Sequence, residues 1–313
     1  MDKTMAKKII AAEYGDPVNV LEVAEAKIPI PGRKQVVVQV RAAGLNPYDV
    51  KVVSGAMGTD ASRLPISPGA EASGVVHLAG TDSEFVKGDE VVVYPATAAF
   101  AEYVLAEADN VHHLPRGLGF DEAASLLLAG VTAVDALATL RITGDDVVLV
   151  HGGAGAVGSI VVTEALAGGA TVIATASPRN HDHLRELGAV PVAYGEGLAD
   201  AVEEARAGKR ITAVIDSVGT DEAIDVSLAL VAPHRIVSIA AWGRADDGIT
   251  IIDGSSERSR HHRREAVEPL LADAASGRIA VEIARNFGFD DAGEAFNELV
   301  GAHPRGKLVF RPQ

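Results

Sequence analysis

The chain holds 313 residues, beyond the ~250–300 at which one hydrophobic core usually stops growing, and 48% are hydrophobic, so two globular domains are expected. Its 28 Lys plus Arg stand against 43 Asp plus Glu, and the resulting −15 charge repels nucleic-acid backbones and anionic lipid, so neither is an expected partner. The count of 0 cysteines excludes disulfides, thiolate nucleophiles and Cys-held zinc or iron–sulfur clusters.

The opening residues Met1 to Lys8 carry early positive charge, but the apolar stretch that follows, 9–12, is too short for a secretory h-region, so a cytoplasmic location is expected. Up to about residue 120, β-branched runs at 36–40, 73–76 and 90–94 alternate with turn pairs such as Pro31-Gly32 and Pro68-Gly69, which predicts a mostly β half. The apolar segment 123–140 is interrupted by Ser125, Gly130, Thr132 and Asp135 and falls short of the ~20 apolar residues of a membrane span. Beyond it, apolar strands at 147–150, 170–176, 211–216 and 235–241 alternate with helices at 159–167 and 222–231. That cadence predicts βαβ units, hence an α/β fold with a doubly wound parallel sheet.

Between the strand 147–150 and the helix from Ser159 lies His151-Gly152-Gly153-Ala154-Gly155-Ala156-Val157-Gly158. Gly153, Gly155 and Gly158 satisfy G-x-G-x-x-G: one permits the tight turn, one lets backbone approach a pyrophosphate, and one lets helix and strand pack closely. The N–H groups of Ala156, Val157 and Gly158 and the positive end of the helix dipole would then stabilise the phosphates. The alternative is a Gly-rich turn without a ligand. About 20 residues on, where an NAD site would carry Asp or Glu, the chain reads Thr175-Ala176-Ser177-Pro178-Arg179. A hydroxyl and a guanidinium suit a 2′-phosphate, each charge-assisted bond contributing roughly 1.5–3 kcal/mol, so NADPH is expected over NADH by about ten- to hundredfold. Ser177 could instead cap a helix starting at Pro178, with Arg179 merely solvated.

The chain resembles the medium-chain dehydrogenase/reductase superfamily, in its zinc-free branch of quinone oxidoreductases and zeta-crystallin-like reductases. The resemblance rests on Gly44-Leu45-Asn46-Pro47-Tyr48-Asp49, Pro68-Gly69-Ala70-Glu71-Ala72-Ser73-Gly74, Phe100-Ala101-Glu102-Tyr103, Ala129-Gly130-Val131-Thr132-Ala133, the Gly-rich turn, Asp216-Ser217-Val218-Gly219 and Arg305-Gly306-Lys307-Leu308-Val309. It implies a discontinuous GroES-like β-barrel catalytic domain at 1–120 and 255–313, a Rossmann domain at 121–254, and a homodimer joined near the strand 249–252. Zinc-dependent members carry Cys where this chain has Asn46 and His-Glu where it has Ala70-Glu71, so no metal is expected. Carried over by position, Asn46 and Thr132 would contact the nicotinamide, and Tyr48 would line the pocket and donate to the oxygen formed after hydride arrival. Each has a structural alternative: a turn initiator, a helix back-bond and a half-buried aromatic. Tyr194 would pack near the adenine-side ribose, or be a surface aromatic. Val218-Gly219 and Ala240-Ala241-Trp242, at strand ends, would offer main chain to the nicotinamide half. The implied function is NADPH-dependent hydride transfer to a quinone or α,β-unsaturated carbonyl. An enoyl-thioester reductase of the same superfamily and a non-catalytic NADPH-binding redox sensor are the alternatives.

Other motifs carry less. The stretch 301–308 mimics a P-loop but ends in Leu308 instead of Ser or Thr, and it precedes a strand. His112-His113 and His181-Asp182-His183 lack a third spaced ligand and read as structural or solvated. The basic run 257–265 spreads its charges around a helix and reads as a solvated face. No G-x-S-x-G occurs.

Overall fold

The computed structural model describes residues 4–301 and 305–312. It divides into two compact units, Met1–Leu128 with Leu271–Gln313, and Ala129–Leu270. These limits differ from the expected 120 and 255; both fall inside continuous helices, Leu127–Leu140 and Glu257–Ala275, which Gly130 and Pro269 do not interrupt. Residues 302–304 of the P-loop-like stretch lie outside the described residues.

The first unit opens with strands β1 (Met5–Ala11) and β2 (Leu21–Lys27), an antiparallel pair. It continues with β3 (Gln35–Leu45), β4 (Ala72–Ala79), β5 (Glu90–Val93), β6 (Tyr103–Glu107) and β7 (Val111–His113). The β-branched runs place Val36, Val37, Val38, Val91, Val92 and Val93 at zero exposure, and β3 pairs antiparallel with both β4 and β6.

In the second unit, β8 (Val147–His151), β9 (Thr171–Thr175), β10 (Val190–Val192), β11 (Ala213–Asp216), β12 (Ile236–Ser238) and β13 (Thr250–Ile251) form one parallel sheet in the order β10-β9-β8-β11-β12-β13. The order reverses between β8 and β11, the switch point at which open α/β sheets bind ligands. Its strands are buried on both faces, which is why they read as continuous apolar runs; Leu149, Val214, Ile215 and Ile236 have no exposure. The basic run is only partly solvated. Within the helix Glu257–Ala275, Ser259, His262 and Arg263 turn onto the fully buried carboxylate of Asp135, with His262 Nδ1 at 3.0 Å and Arg263 Nε at 3.1 Å. Arg258, Arg260, His261 and Arg264 remain exposed.

The chain then returns to the first unit as β14 (Ile283–Phe287), parallel to β15 (Lys307–Phe310), which pairs antiparallel with β3. Phe310 anchors this return: its ring lies 4.8 Å from Phe100, 6.1 Å from Phe289 and 6.4 Å from both Phe287 and Phe296. Each such buried ring contributes roughly 1.5–3 kcal/mol, enough to hold a segment remote in sequence.

Candidate active site

In the second unit the Gly-rich turn joins β8 to the helix Ala156–Ala167. Gly152 adopts the left-handed conformation at φ +76°. A Cβ on Gly158 would lie 2.1 Å from the Gly152 carbonyl oxygen, so helix and turn touch there as the motif requires. At Gly155, by contrast, a Cβ would meet only that oxygen, at 3.3 Å, and Gly155 and Ala156 are exposed. No side chain of the described residues caps this helix.

The turn abuts the end of β9, where Gly153 N donates to Thr175 O at 2.9 Å. Past that end, Pro178–Asn180 forms a short 3-10 turn, with Arg179 exposed upon it. Ser177 makes no capping hydrogen bond; its hydroxyl accepts from Asn180 Nδ2 at 3.2 Å, so the helix-cap alternative does not describe it. Tyr194 is 62% exposed, in keeping with either reading of it.

At the ends of β11 and β12, sequence reasoning missed the fully buried carboxylate of Asp216. It accepts from Val218 N and Gly219 N at 3.1 Å and from Ser238 Oγ at 2.5 Å. Ser238 Oγ in turn accepts from Ala240 N at 3.1 Å. This fixes the backbones of Val218 and Ala240 beside one another, with Val218 46% and Trp242 43% exposed. The signal was present as the Asp of Asp216-Ser217-Val218-Gly219, an acid ending an apolar strand. Thr132 is buried on the helix Leu127–Leu140.

In the first unit, Asn46 follows β3 and leads into the helix Pro47–Ser54. Asp49 reaches back to accept from Asn46 N at 2.9 Å and also accepts from Gly69 N at 3.1 Å. Burial pushes the Asp49 carboxyl up to about 7, against the pull of those two N–H groups and of Lys307. Asn46 Nδ2 donates to Gly44 O at 3.1 Å and to Glu71 Oε1 at 2.9 Å, while its Oδ1 accepts from Lys307 Nζ. Glu71, fully buried, also accepts from Leu128 N at 2.9 Å and lies 3.4 Å from Lys307 Nζ. Both amide hydrogens of Asn46 are thus committed inside the unit, leaving one carbonyl lone pair for any ligand. Tyr48, on the same helix, is 45% exposed. Lys307 was quoted in the sequence only as part of a string; its pairing with Asn46 spans 261 positions and has no local signature.

Among the described residues, no group of three or more His, Asp or Glu is arranged to hold a metal ion. No helix of the described residues is long and apolar enough to cross a membrane.

A GroES-like domain together with a dinucleotide-binding parallel sheet defines a nicotinamide-dependent oxidoreductase of α/β class. Residues 32–116 match the alcohol dehydrogenase GroES-like domain family, and residues 187–310 match the zinc-binding dehydrogenase family. A quinone oxidoreductase of Pseudomonas aeruginosa is 32% identical over 332 aligned positions, covering 98% of this chain and 100% of that protein. Among solved structures, the quinone oxidoreductase of Pseudomonas syringae pv. tomato is 31% identical with a TM-score of 0.85, covering 98% of this chain and 100% of that one. A mycobacterial protein complexed with NADPH is 28% identical with a TM-score of 0.85, covering 98% of this chain and 100% of that one. The chain belongs to the medium-chain dehydrogenase/reductase superfamily, in its quinone oxidoreductase branch.

Proposed function

We propose that this oxidoreductase transfers a hydride from NADPH to a quinone or α,β-unsaturated carbonyl without zinc. The observation that carries the reading is the uncapped helix N-terminus behind an exposed Gly155, at the switch point of the parallel sheet. In this reading the main chain of Gly153, Gly155, Ala156, Val157 and Gly158 holds the diphosphate. Ser177 and Arg179 hold the 2′-phosphate, Tyr194 packs beside that ribose, and the Val218 and Ala240 backbones with Thr132 orient the nicotinamide. Bound NADPH supplies the hydride. The Tyr48 phenol donates to the acceptor oxygen as negative charge develops on it. Asn46 acts mainly as an anchor for the start of its helix, its carbonyl oxygen being the atom left for the cofactor.

The residues present do not fit a catalytic zinc. Its family position for Cys is Asn46, and Asn46 Oδ1 and Glu71 Oε1 are already occupied by the Lys307 ammonium, with Ala70 in place of His. A site needing three protein ligands cannot be assembled from that set. Without a Lewis acid, an acceptor that delocalises its own developing charge is the easier substrate. We also assign the protein to the cytoplasm as a homodimer; β13, which pairs only with β12 at the sheet edge, is the strand offered to a second copy.

The test follows NADPH oxidation with a panel of quinones, enones and a crotonyl thioester, with and without chelator. Turnover of quinone or enone that survives chelation is the expected result. Turnover confined to the thioester would move the assignment to an enoyl reductase, and loss of all turnover on chelation would overturn the zinc-free reading.

A further inference from the structure

Beneath the Gly-rich turn lies a file of buried side chains that the reading above does not use. Ser227, His151 and Thr175 have 0%, 1% and 2% exposure, so each hydrogen in the file must find a partner inside the protein. Ser227 Oγ donates to Ala223 O at 2.6 Å, which commits its only hydrogen. Its contact with His151 Nε2 at 3.2 Å is therefore one in which the imidazole donates. Nδ1 is left bare as an acceptor, and it faces Thr175 Oγ1 at 3.4 Å. The Thr175 hydroxyl, donating to Nδ1, accepts in turn from Gly152 N at 3.1 Å. Every donor and acceptor along the path is used in one direction, from the Gly152 N–H through Thr175 and His151 to the carbonyl of Ala223.

Burial favours the uncharged imidazole that this file requires, pushing it down to about 4, and the charged group that opposes this is Asp216 at the end of β11. What the file holds is the N–H of Gly152, the residue on which the turn depends. Gly152 is left-handed at φ +76°, and its carbonyl oxygen is the atom against which Gly158 packs.

We propose that His151 is a positioning residue for the dinucleotide turn: as acceptor at Nδ1 and donor at Nε2, it holds the Gly152 N–H, and with it the start of the turn, through Thr175. The N–H groups opening the helix Ala156–Ala167 are thereby held in the geometry that receives a diphosphate. The inference rests on the reading of that turn as the NADPH site.

The experiment measures the NADPH dissociation constant, KM and kcat of the full chain for wild type, His151→Asn, His151→Gln, His151→Leu, Thr175→Ser and Thr175→Val. Asn places an oxygen near the Nδ1 position, whereas Gln reaches only toward Ser227. His151→Asn and Thr175→Ser should stay within about threefold of wild type in NADPH affinity. His151→Gln, His151→Leu and Thr175→Val should each weaken it about tenfold, with kcat at saturating NADPH within about twofold. His151→Leu combined with Thr175→Val should bind no worse than either alone, since both break one path. Equal affinity in His151→Leu and wild type, or equal loss in His151→Asn and His151→Leu, would overturn the proposal. Should His151→Leu not fold, the Thr175→Ser and Thr175→Val pair decides by itself, equal affinity again overturning it. A wild type that does not retain NADPH refutes the site reading underneath, a result separable from all of these.

Discussion

Two glycines of one turn should respond to added carbon in opposite ways. A Cβ at Gly158 would sit 2.1 Å from Gly152 O, 2.8 Å from its carbonyl carbon and 2.9 Å from Gly153 Cα. All three are backbone atoms, so Gly158→Ala must shift the turn bodily, an overpacking cost of about 1–3 kcal/mol. That corresponds to a fall in melting temperature of roughly 2–10 °C for a unit of this size. At Gly155 the φ of −79° suits any residue, and the nearest atom to a new Cβ is Gly152 O at 3.3 Å. Gly155→Val should therefore leave stability within about 0.5 kcal/mol. Its isopropyl group would nonetheless stand over the open helix N-terminus. Losing two backbone N–H contacts to a diphosphate, each on the order of 1.5 kcal/mol, weakens NADPH binding by at least about a hundredfold. Thermal melts and titrations by nicotinamide fluorescence on the same preparations separate the effects. A Gly155→Val protein that holds NADPH as tightly as wild type would refute the reasoning.

Arg179→Glu should erase or invert the preference for NADPH over NADH, a swing of about ten- to hundredfold in the ratio of kcat/KM values, and an unchanged ratio would remove Arg179 from the 2′-phosphate. Tyr48→Phe should lower kcat by about tenfold or more with little change in KM for NADPH; full turnover in that variant would demote the phenol to pocket lining. Asp49, raised to about 7 from an ordinary 3.8, binds its proton more tightly when folded than unfolded. Its favourable contribution is complete below the unfolded value and lost as pH rises through the folded one, at most about 4 kcal/mol between pH 4 and pH 8. Asp49→Asn should flatten that part of the stability profile, and urea unfolding at pH 5 and pH 8 giving the same wild-type-to-variant difference would count against it.

The legible features were those written in consecutive residues. The apolar run of β8 followed by Gly153, Gly155 and Gly158 specifies strand, turn and helix within a dozen positions, and the structure forms them there. Charge patterning failed where a partner is remote. Arg263 and His262 look solvated on a helical wheel, yet Asp135, 128 and 127 positions away, draws them inward. Ser177 before Pro178 left a helix cap open as an alternative because the dipeptide is the same whether a 3-10 turn or an α-helix follows. The two units divide within helices for a related reason: Gly130 and Pro269 lie beside the divisions, yet remote packing carries each helix straight through them, so a local Gly or Pro does not mark where one unit ends.

The cluster around Glu71 shows why its chemistry depends on what neutralises it. A fully buried carboxylate needs its acceptor sites filled whatever reaction the protein runs, by N–H and O–H donors as at Asp216 or by a cation as at Glu71, because breaking a buried ion pair by removing one partner costs on the order of 3–5 kcal/mol. A divalent ion would meet that need and keep an open coordination position for a substrate oxygen. The Lys307 ammonium meets it differently: it is tethered to β15, only 7% exposed, and directs its hydrogens to Asn46 Oδ1 and Glu71 Oε1. Such a cation neutralises the acid without bringing the open coordination position of a metal ion. In the proposed reaction the stabilisation of developing charge then falls to the acceptor's own conjugation and to the exposed phenol of Tyr48, two helical positions past the Asn46 that the same lysine holds.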